Sequence, residues 1–401
     1  MGIGEWRIVT IPYHLFPIPK KLRDLHVLRG LIEMMKPIIF YISGHGFGHS
    51  SRMSVVINEL IRREPEREII IKTSAPEWFF REQITGKLHF HPLECDIGVI
   101  QSDSLNLDPQ ASLKAYADFL SDRKQVIREE VRFIREIDPQ LIVGDIPPLA
   151  FEVAQETGVP SLAVGNFCWD WIYETYVERY PEYQHIISSI RDDYRKADLL
   201  LRLPFSGDMS AFTMIRDIPL IARRSHRTPE EVRDLLGLPD DLPLIILSFG
   251  GFWLGEDYYR KLSEIKDCIW LASERVAFNL PSIRNVSREE LRELNLSYPD
   301  LVSAANVVVT KPGYGILSEC IANRTKMLYT SRGEFREYPI LVEGVKKYLP
   351  STFISQEKLK AGDFKDELFQ LLSKPDTFKP LPVNGAETVV DIIEWGVGSG
   401  E

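Results

Sequence analysis

Two histidines in a short glycine-rich turn are the side chains best placed to do chemistry. The turn reads Gly44-His45-Gly46-Phe47-Gly48-His49, after the apolar run Ile38-Ile39-Phe40. Imidazole titrates near neutral pH, so it suits acid–base work. Glycines let the backbone turn sharply and approach a ligand, and a helix after the turn offers free N–H groups to an anion. The stretch therefore predicts a strand, a ligand-binding turn with an acid–base group, and a helix.

A second strand–turn–helix pattern begins at Val307. The turn contains Gly313, Tyr314 and Gly315, and it places backbone N–H groups where a diphosphate can dock. Glu319 follows about two turns into the predicted helix, where its carboxylate can accept both hydroxyls of a ribose. The alternative is that Glu319 is a solvated helix residue.

A third glycine turn, with Gly250 and Gly251, ends the strand Leu242–Ser248. Ligands of open α/β sheets bind at the carboxyl ends of strands, so small residues here favour close approach of a ligand. The alternative is a tight turn without a ligand.

Asp145 ends another buried strand. The commoner role for such an aspartate is to cap the next helix. It can instead orient His49 and stabilise its cationic form, since both residues would lie at the carboxyl edge of one sheet.

An aromatic cluster follows the strand at 161–165. It runs from Asn166 through Trp169 and Asp170 to Tyr173. One interpretation is core or domain packing. The other is a wall of the acceptor site, with flat apolar faces and Asp170 as a polar group. A charged loop that includes Arg332 and Glu337 is expected to face the same cleft, or to be solvated.

Strand-like runs alternate with helical patterns, which predicts an α/β protein with parallel sheets. We expect two facing Rossmann-like domains, at 35–205 and 206–383, with a proline-punctuated linker region from Pro204 to Pro219. A closing helix and tail occupy 384–401. Residues 1–34 are expected to be an extension, disordered or absent from the working protein. The predicted strands are 37–42, 68–73, 140–144, 161–165, 195–201, 242–248, 268–271, 277–280, 307–310 and 326–330, and the predicted helices are 51–63, 111–136, 148–157, 181–196, 313–323 and 384–396.

Composition limits the possible functions. The net charge is −10, which argues against nonspecific nucleic-acid binding and against an anionic membrane surface. The four cysteines show no Cys-x-x-Cys spacing, which fits a reducing cytoplasm and predicts no cysteine zinc site. No apolar run approaches the roughly 20 residues needed to span a bilayer. We therefore expect a cytoplasmic protein without an integral membrane segment.

Together these motifs resemble the GT-B glycosyltransferases over roughly residues 36–396. More narrowly, the glycine–histidine turn, the cluster 166–173 and the turn 311–315 look like the glycosyltransferase-like N-terminal domain of plant L-arabinokinases and its stand-alone bacterial relatives. The sequence departs at Arg52, where many relatives carry a proline, and it lacks the long nucleotide-binding signature of plant UDP-glycosyltransferases.

The resemblance implies roles for individual residues. His49 matches the general base and Asp145 the aspartate that orients it. The residues matching the donor site are Gly250, Gly251, Gly313, Tyr314, Gly315, Glu319 and Glu337. The residues expected on the acceptor side or in the cleft are Gly44, His45, Gly46, Phe47, Gly48, Arg52, Asn166, Trp169 and Asp170.

The implied function is transfer of a hexose or pentose from a nucleotide-sugar, UDP-linked, to an acceptor hydroxyl. No metal or other cofactor is expected, because helix N-termini would stabilise the departing diphosphate. Two alternatives stay open: a UDP-sugar 2-epimerase-like enzyme and a non-catalytic sugar-nucleotide-binding scaffold.

Overall fold

The computed structural model describes residues 36–101, 107–249, 256–272, 280, 282–333 and 335–396. The predicted extension 1–34, the turn residues Gly250 and Gly251, and most of the predicted strand 277–280 lie outside the described residues.

The first sheet is built from short runs rich in isoleucine, leucine and valine. Its strands are β1 (Ile38–Ile42), β2 (Ile69–Thr73), β3 (Leu88–Pro92), β4 (Leu141–Asp145), β5 (Ser161–Gly165), β6 (Leu199–Arg202) and β7 (Ile215–Asp217). All pairs are parallel, in the order β3-β2-β1-β4-β5-β6-β7. Strands β1, β2, β4 and β5 are buried along their whole length, as parallel strands with helices on both faces are.

The helices of the first half alternate with these strands. They are α1 (Phe47–Arg63), α2 (Glu77–Gln83), α3 (Pro109–Ile137), α4 (Leu149–Thr157), α5 (Trp169–Val177) and α6 (Gln184–Tyr194), with a short 3₁₀ turn at Pro181–Tyr183 before α6. Within the described ranges, no helix of the protein combines the length and apolar character needed to cross a membrane.

The second half repeats the arrangement. Its strands are β8 (Leu244–Ser248), β9 (Ile269–Ala272), β10 (Ile283–Asn285), β11 (Val307–Thr310), β12 (Lys326–Tyr329) and β13 (Ser351–Phe353). They pair in parallel in the order β10-β9-β8-β11-β12-β13. Its helices are α7 (Pro229–Leu235), α8 (Glu256–Leu262), α9 (Arg288–Glu293), α10 (Tyr298–Ala304), α11 (Tyr314–Asn323), α12 (Tyr338–Tyr348), α13 (Gln356–Ala361) and α14 (Lys365–Leu372).

The last helix, α15 (Gly385–Trp395), returns to the first half and packs against α1. Val389 and Val390 share a core with Val56 of α1. Arg63 adds an ion pair to Asp391, with 2.6 Å between Nη1 and Oδ1. The closing helix therefore ties the end of the chain to the helix that carries the first histidine motif.

The α/β architecture with two parallel sheets is as predicted, but several details differ. Strand β7 joins the first sheet beyond the predicted boundary at residue 205, inside the segment expected to be a linker. Strands β3, β10 and β13 were not predicted, nor were helices α2, α5, α7 to α10 and α12 to α14. Helix α1 begins at Phe47 rather than residue 51, because Gly46 adopts a left-handed φ of 66° and lets the next residue start the helix.

Candidate active site

Parallel pairing brings three polar residues of the first half to one sheet edge. Ile42 of β1 pairs with Asp145 of β4, and β5 beside it leads into Asn166. His49 lies in the first turn of α1, which follows β1. The topology therefore assembles His49, Asp145 and Asn166 at the carboxyl ends of neighbouring strands, where ligands of α/β sheets bind.

His49 and Asp145 form a buried pair. The distance between His49 Nδ1 and Asp145 Oδ1 is 2.9 Å, and the two side chains are 6% and 0% exposed. A carboxylate can only accept a hydrogen bond, so Nδ1 carries a proton, and in the neutral form of the imidazole Nε2 keeps a lone pair. The geometry gives His49 the tautomer that a general base needs. The helix-cap alternative for Asp145 does not apply, because no side chain caps α4.

Arg52 clamps the same carboxylate from the next turn of α1. Its Nε donates to Asp145 Oδ2 over 2.9 Å, and Nη2 donates to Oδ1 over 2.5 Å. Nη2 also lies 3.2 Å from His49 Nδ1, but two donors cannot bond each other, so both groups share Oδ1. Burial alone would raise the pKa of Asp145; the charges of Arg52 and His49 and their hydrogen bonds outweigh it and lower that pKa.

The hydrogen bonds continue from Arg52 into the second half. Nη1 of Arg52 donates to Asn166 Oδ1 over 2.9 Å, and Asn166 Nδ2 donates to Glu337 Oε1 over 2.7 Å. The guanidinium carbon of Arg52 also lies 5.0 Å from the centre of the Tyr314 ring. Arg52 therefore connects the His49–Asp145 pair to two residues of the opposite half.

The turn before α11 meets the first glycine turn across the cleft. A Cβ added to Gly315 would lie 3.8 Å from Gly48 Cα, so the two turns approach closely. Gly313 precedes α11, whose first N–H groups point into this region. The cleft between the halves is lined here by Gly48, Arg52, Arg223, Tyr314, Gly315 and Glu319, with five neighbours.

Glu319 is buried in this cleft rather than solvated. Arg223 donates to its Oε1 from Nε over 2.6 Å and from Nη2 over 2.5 Å. Burial raises the pKa of Glu319, and the charge of Arg223 only partly opposes it. No described residue donates to Oε2, so one oxygen of the carboxylate remains available to a ligand.

His45 differs from His49 in both protonation and contacts. The backbone N–H of Val99 donates to His45 Nδ1 over 3.2 Å, which puts the imidazole proton on Nε2. Burial, with the charges of His49, Arg332 and Lys311, lowers the pKa of His45 to about 3. His45 is therefore a neutral N–H donor, and of the two histidines in the turn only His49 has the arrangement of a base.

The aromatic cluster after β5 packs inside the protein instead of lining the acceptor side. Trp169 is 0% exposed and donates from Nε1 to Asp96 Oδ2 over 2.8 Å. Asp170 is buried and accepts from Arg191 Nε over 3.0 Å. The predicted wall role is therefore wrong for both residues, because α5 turns their side chains toward the core. Trp169 supports the site indirectly, because its ring packs against the imidazole of His45 with 5.6 Å between the ring centres.

Two functional neighbours were absent from the sequence prediction. Asp96 accepts from Ser43 Oγ over 3.0 Å as well as from Trp169, and burial raises its pKa. Arg223 holds Glu319. Both lie outside any glycine turn, and only the fold brings them to the cleft.

The remaining predicted residues of the first turn shape the backbone. A Cβ on Gly44 would lie 2.0 Å from Ser74 Oγ, so any larger residue there would displace the Ser74 side chain. Phe47 is 37% exposed and stacks on Phe79 with 5.0 Å between ring centres.

Across the described ranges, no group of three or more His, Cys, Asp or Glu side chains is arranged to hold a metal ion.

Sequence comparison finds two relevant relatives. The chain is 28% identical over 386 residues to L-arabinokinase of Arabidopsis thaliana, which covers 94% of this chain and 36% of that protein. It is 25% identical over 310 residues to an uncharacterised glycosyltransferase of Methanopyrus kandleri, covering 72% of this chain and 83% of that protein. No family model matches. The chain thus spans about a third of the length of the arabinokinase.

Solved structures match both halves at once. A calicheamicin glycosyltransferase superposes with a TM-score of 0.59 at 14% identity, covering 91% of this chain and 99% of that one. A putative UDP-N-acetylglucosamine 2-epimerase from Listeria monocytogenes gives 0.56 at 12% identity, covering 92% and 98%. The chain has the GT-B fold. At these identities the solved structures establish the fold alone.

In this GT-B protein the residues described above fall on both sides of the cleft. His49, Asp145, Arg52 and Asn166 belong to the first half; Tyr314, Glu319 and Glu337 belong to the second. The hydrogen bond between Asn166 and Glu337 joins the two groups. The cleft is therefore a single site with contributions from both halves.

Proposed function

We propose that the protein transfers a sugar, hexose or pentose, from a nucleotide-sugar to an acceptor hydroxyl, with His49 as general base. The observation that carries the proposal is the 2.9 Å contact between His49 Nδ1 and Asp145, which leaves Nε2 to take a proton. The deprotonated hydroxyl attacks the anomeric carbon, the bond from that carbon to the diphosphate breaks, and the proton stays on Nε2. Asp145 then stabilises the imidazolium.

The second half is proposed to hold the donor. The free Oε2 of Glu319 can accept from a ribose hydroxyl, and the first N–H groups of α11 can bind the diphosphate, so the proposal requires no metal. UDP is the proposed nucleotide because a similar plant enzyme, UGT2 of Phytolacca americana (TM-score 0.54, 12% identity), was solved with UDP-2fluoro-glucose. This chain covers 93% of that enzyme, which covers 88% of this chain.

An epimerase is the second candidate, because the putative 2-epimerase has the same fold. Such a reaction needs acid–base groups but no acceptor. The carboxylates of the cleft are already engaged: Asp145 by Arg52, Glu319 by Arg223, and Glu337 by Asn166. This engagement favours the transferase, in which the acting base is an imidazole.

The donor site is tested first by calorimetric titration with UDP, GDP, ADP and dTDP. We expect one diphosphate to bind selectively and Glu319→Ala to weaken it, whereas Glu230→Ala, a change at an exposed helix residue, should not. Binding of no diphosphate would remove the donor proposal. Binding without turnover against any acceptor would favour the scaffold, and an epimer formed from the donor alone would favour the epimerase.

The base is tested by His49→Ala in a transfer assay with the donor identified above. Loss of a positioned base should slow transfer by roughly 10²–10⁴-fold while donor affinity stays unchanged. His226→Ala, at an exposed histidine, is the matched control. Transfer at the wild-type rate in the His49 variant would exclude His49 as the base.

A further inference from the structure

The imidazole of His45 carries a ring N–H that has no hydrogen-bond acceptor among the described residues. Val99 N–H occupies Nδ1, so the proton is on Nε2, and no described residue accepts from Nε2. The backbone N–H of His45 in turn donates to Ser43 Oγ over 3.2 Å. A fixed N–H group without a protein acceptor, at the rim of a cleft, is available to an oxygen of a ligand.

The surroundings of His45 fix its position closely. Gly98 has a φ of +67°, and a Cβ there would lie 2.6 Å from the Cβ of His45. The Tyr173 hydroxyl donates to the Gly98 carbonyl over 2.5 Å. The Trp169 ring meets the imidazole edge-on. The loop at Gly98 and helix α5 therefore hold one side chain between them, which is typical of a binding residue that is preorganised.

Two cations of the second half lie near enough to His45 to act on the charge of its imidazole. Arg332 and Lys311 are among the charges that oppose protonation of its imidazole. The Nε of Arg332 is buried and has no hydrogen-bond partner among the described residues. Its Nη1 would lie 3.8 Å from a Cβ on Gly313, which places the guanidinium beside the turn before α11. Burial lowers the pKa of Arg332, and the negative charge of Glu337 only partly opposes this. A buried guanidinium N–H without a partner is available to an acceptor, and an anion is the strongest one.

We propose that His45 Nε2–H and the Arg332 guanidinium hold the donor's diphosphate from opposite sides of the cleft. This assignment rests on the proposed function and moves His45 from the acceptor side to the donor side. A phosphate carried by an acceptor has the same chemistry. The donor is favoured because Arg332 lies next to Gly313 and the N-terminus of α11, which bind the same charge.

The test compares ligands with and without phosphates by calorimetry. Wild type, His45→Phe and Arg332→Met are titrated with UDP, uridine and inorganic pyrophosphate; Arg216→Met, at an exposed arginine of β7, is the control. Phenylalanine keeps the ring that packs on Trp169 but removes the N–H. Each site variant should weaken UDP and pyrophosphate about 10- to 100-fold, because a hydrogen bond to a charged group is lost, and leave uridine unchanged.

Conservative variants separate binding from folding. His45→Gln, which retains a side-chain N–H, and Arg332→Lys, which retains the charge, should recover part of the affinity. The inference is overturned if UDP binds both site variants as tightly as wild type, or if uridine weakens in parallel with UDP. In those cases the donor proposal stands. If the wild type binds neither pyrophosphate nor any of the four nucleoside diphosphates, both proposals fail together.

Discussion

Replacing His45 with phenylalanine should flatten the dependence of stability on pH between about pH 7.5 and pH 5. In the folded protein burial and neighbouring positive charges lower the pKa of His45 to about 3. In the unfolded chain the ordinary value near 6.5 applies. Below about pH 6.5 the unfolded state therefore binds a proton that the folded state does not, and the free energy of unfolding falls.

The size of the effect follows from the two pKa values. Above about pH 6.5 His45 is neutral in both the folded and the unfolded state, so its titration takes nothing from the free energy of unfolding. As the pH falls from about 6.5 toward about 3, only the unfolded state binds the proton, and the free energy of unfolding decreases progressively. At about pH 5 the unfolded histidine is mostly protonated and the folded one is neutral. The linkage relation then gives a loss of about 2 kcal/mol relative to pH 7.5.

The assay is urea unfolding at several pH values, for wild type and His45→Phe. The variant loses the Val99 hydrogen bond at every pH, so only the difference in slope is informative. Tyr173→Phe is the matched control: it removes a hydrogen bond from the same loop, and burial raises the pKa of Tyr173 far above the range tested. If the wild type and His45→Phe curves were parallel, the tautomer and burial argued for His45 would be wrong.

Two further predictions concern stability. Arg52→Met leaves Asp145, which is 0% exposed, without its bidentate partner and should lower the free energy of unfolding by about 3–5 kcal/mol. The control Arg62→Met, at an exposed arginine, should lower it by less than about 1 kcal/mol. Similar losses for the two variants in denaturant unfolding would contradict a buried ion pair. Gly385→Ala puts a Cβ 2.3 Å from the Pro219 carbonyl oxygen and should lower the free energy of unfolding by at least about 2 kcal/mol. In the control Gly48→Ala the new Cβ meets nothing within 4 Å, so this variant should unfold at nearly the wild-type denaturant concentration. Equal unfolding midpoints for the two variants would disprove the close approach of α15 to Pro219.

Patterns that repeat along the chain could be predicted from the sequence. The strand at Ile38–Ile42 and the strand at Val307–Thr310 are short apolar runs followed by glycine turns, and the structure has both. Strand β7 could not be predicted, because Ile215–Asp217 is short and exposed and lies in the segment between Pro204 and Pro219. Its place in the sheet depends on pairing with β6, which only the folded chain provides.

The side-chain partners of the site depend on contacts distant in sequence. Arg223 and Glu319 are 96 positions apart, so no local pattern relates them. Trp169 was ambiguous for a different reason: an aromatic residue after a strand can face a ligand or the core, and spacing does not distinguish the two. The direction of α5 decides it, since the indole is buried against Asp96. The sequence therefore indicated which loops form the cleft, but not the pairs within it.

Arg52 supplies the positive charge of the hydrogen-bonded network around His49, the proposed base. Asp145 and Glu337 contribute two negative charges and Arg52 one positive charge, so the network carries a net charge of about −1 while His49 is neutral. In the proposed reaction, a proton taken by His49 from an acceptor would bring this sum to zero. Because Glu337 belongs to the second half, this balance depends on the contact between the halves that the Asn166–Glu337 hydrogen bond makes. That contact therefore completes the electrostatic environment proposed for the base.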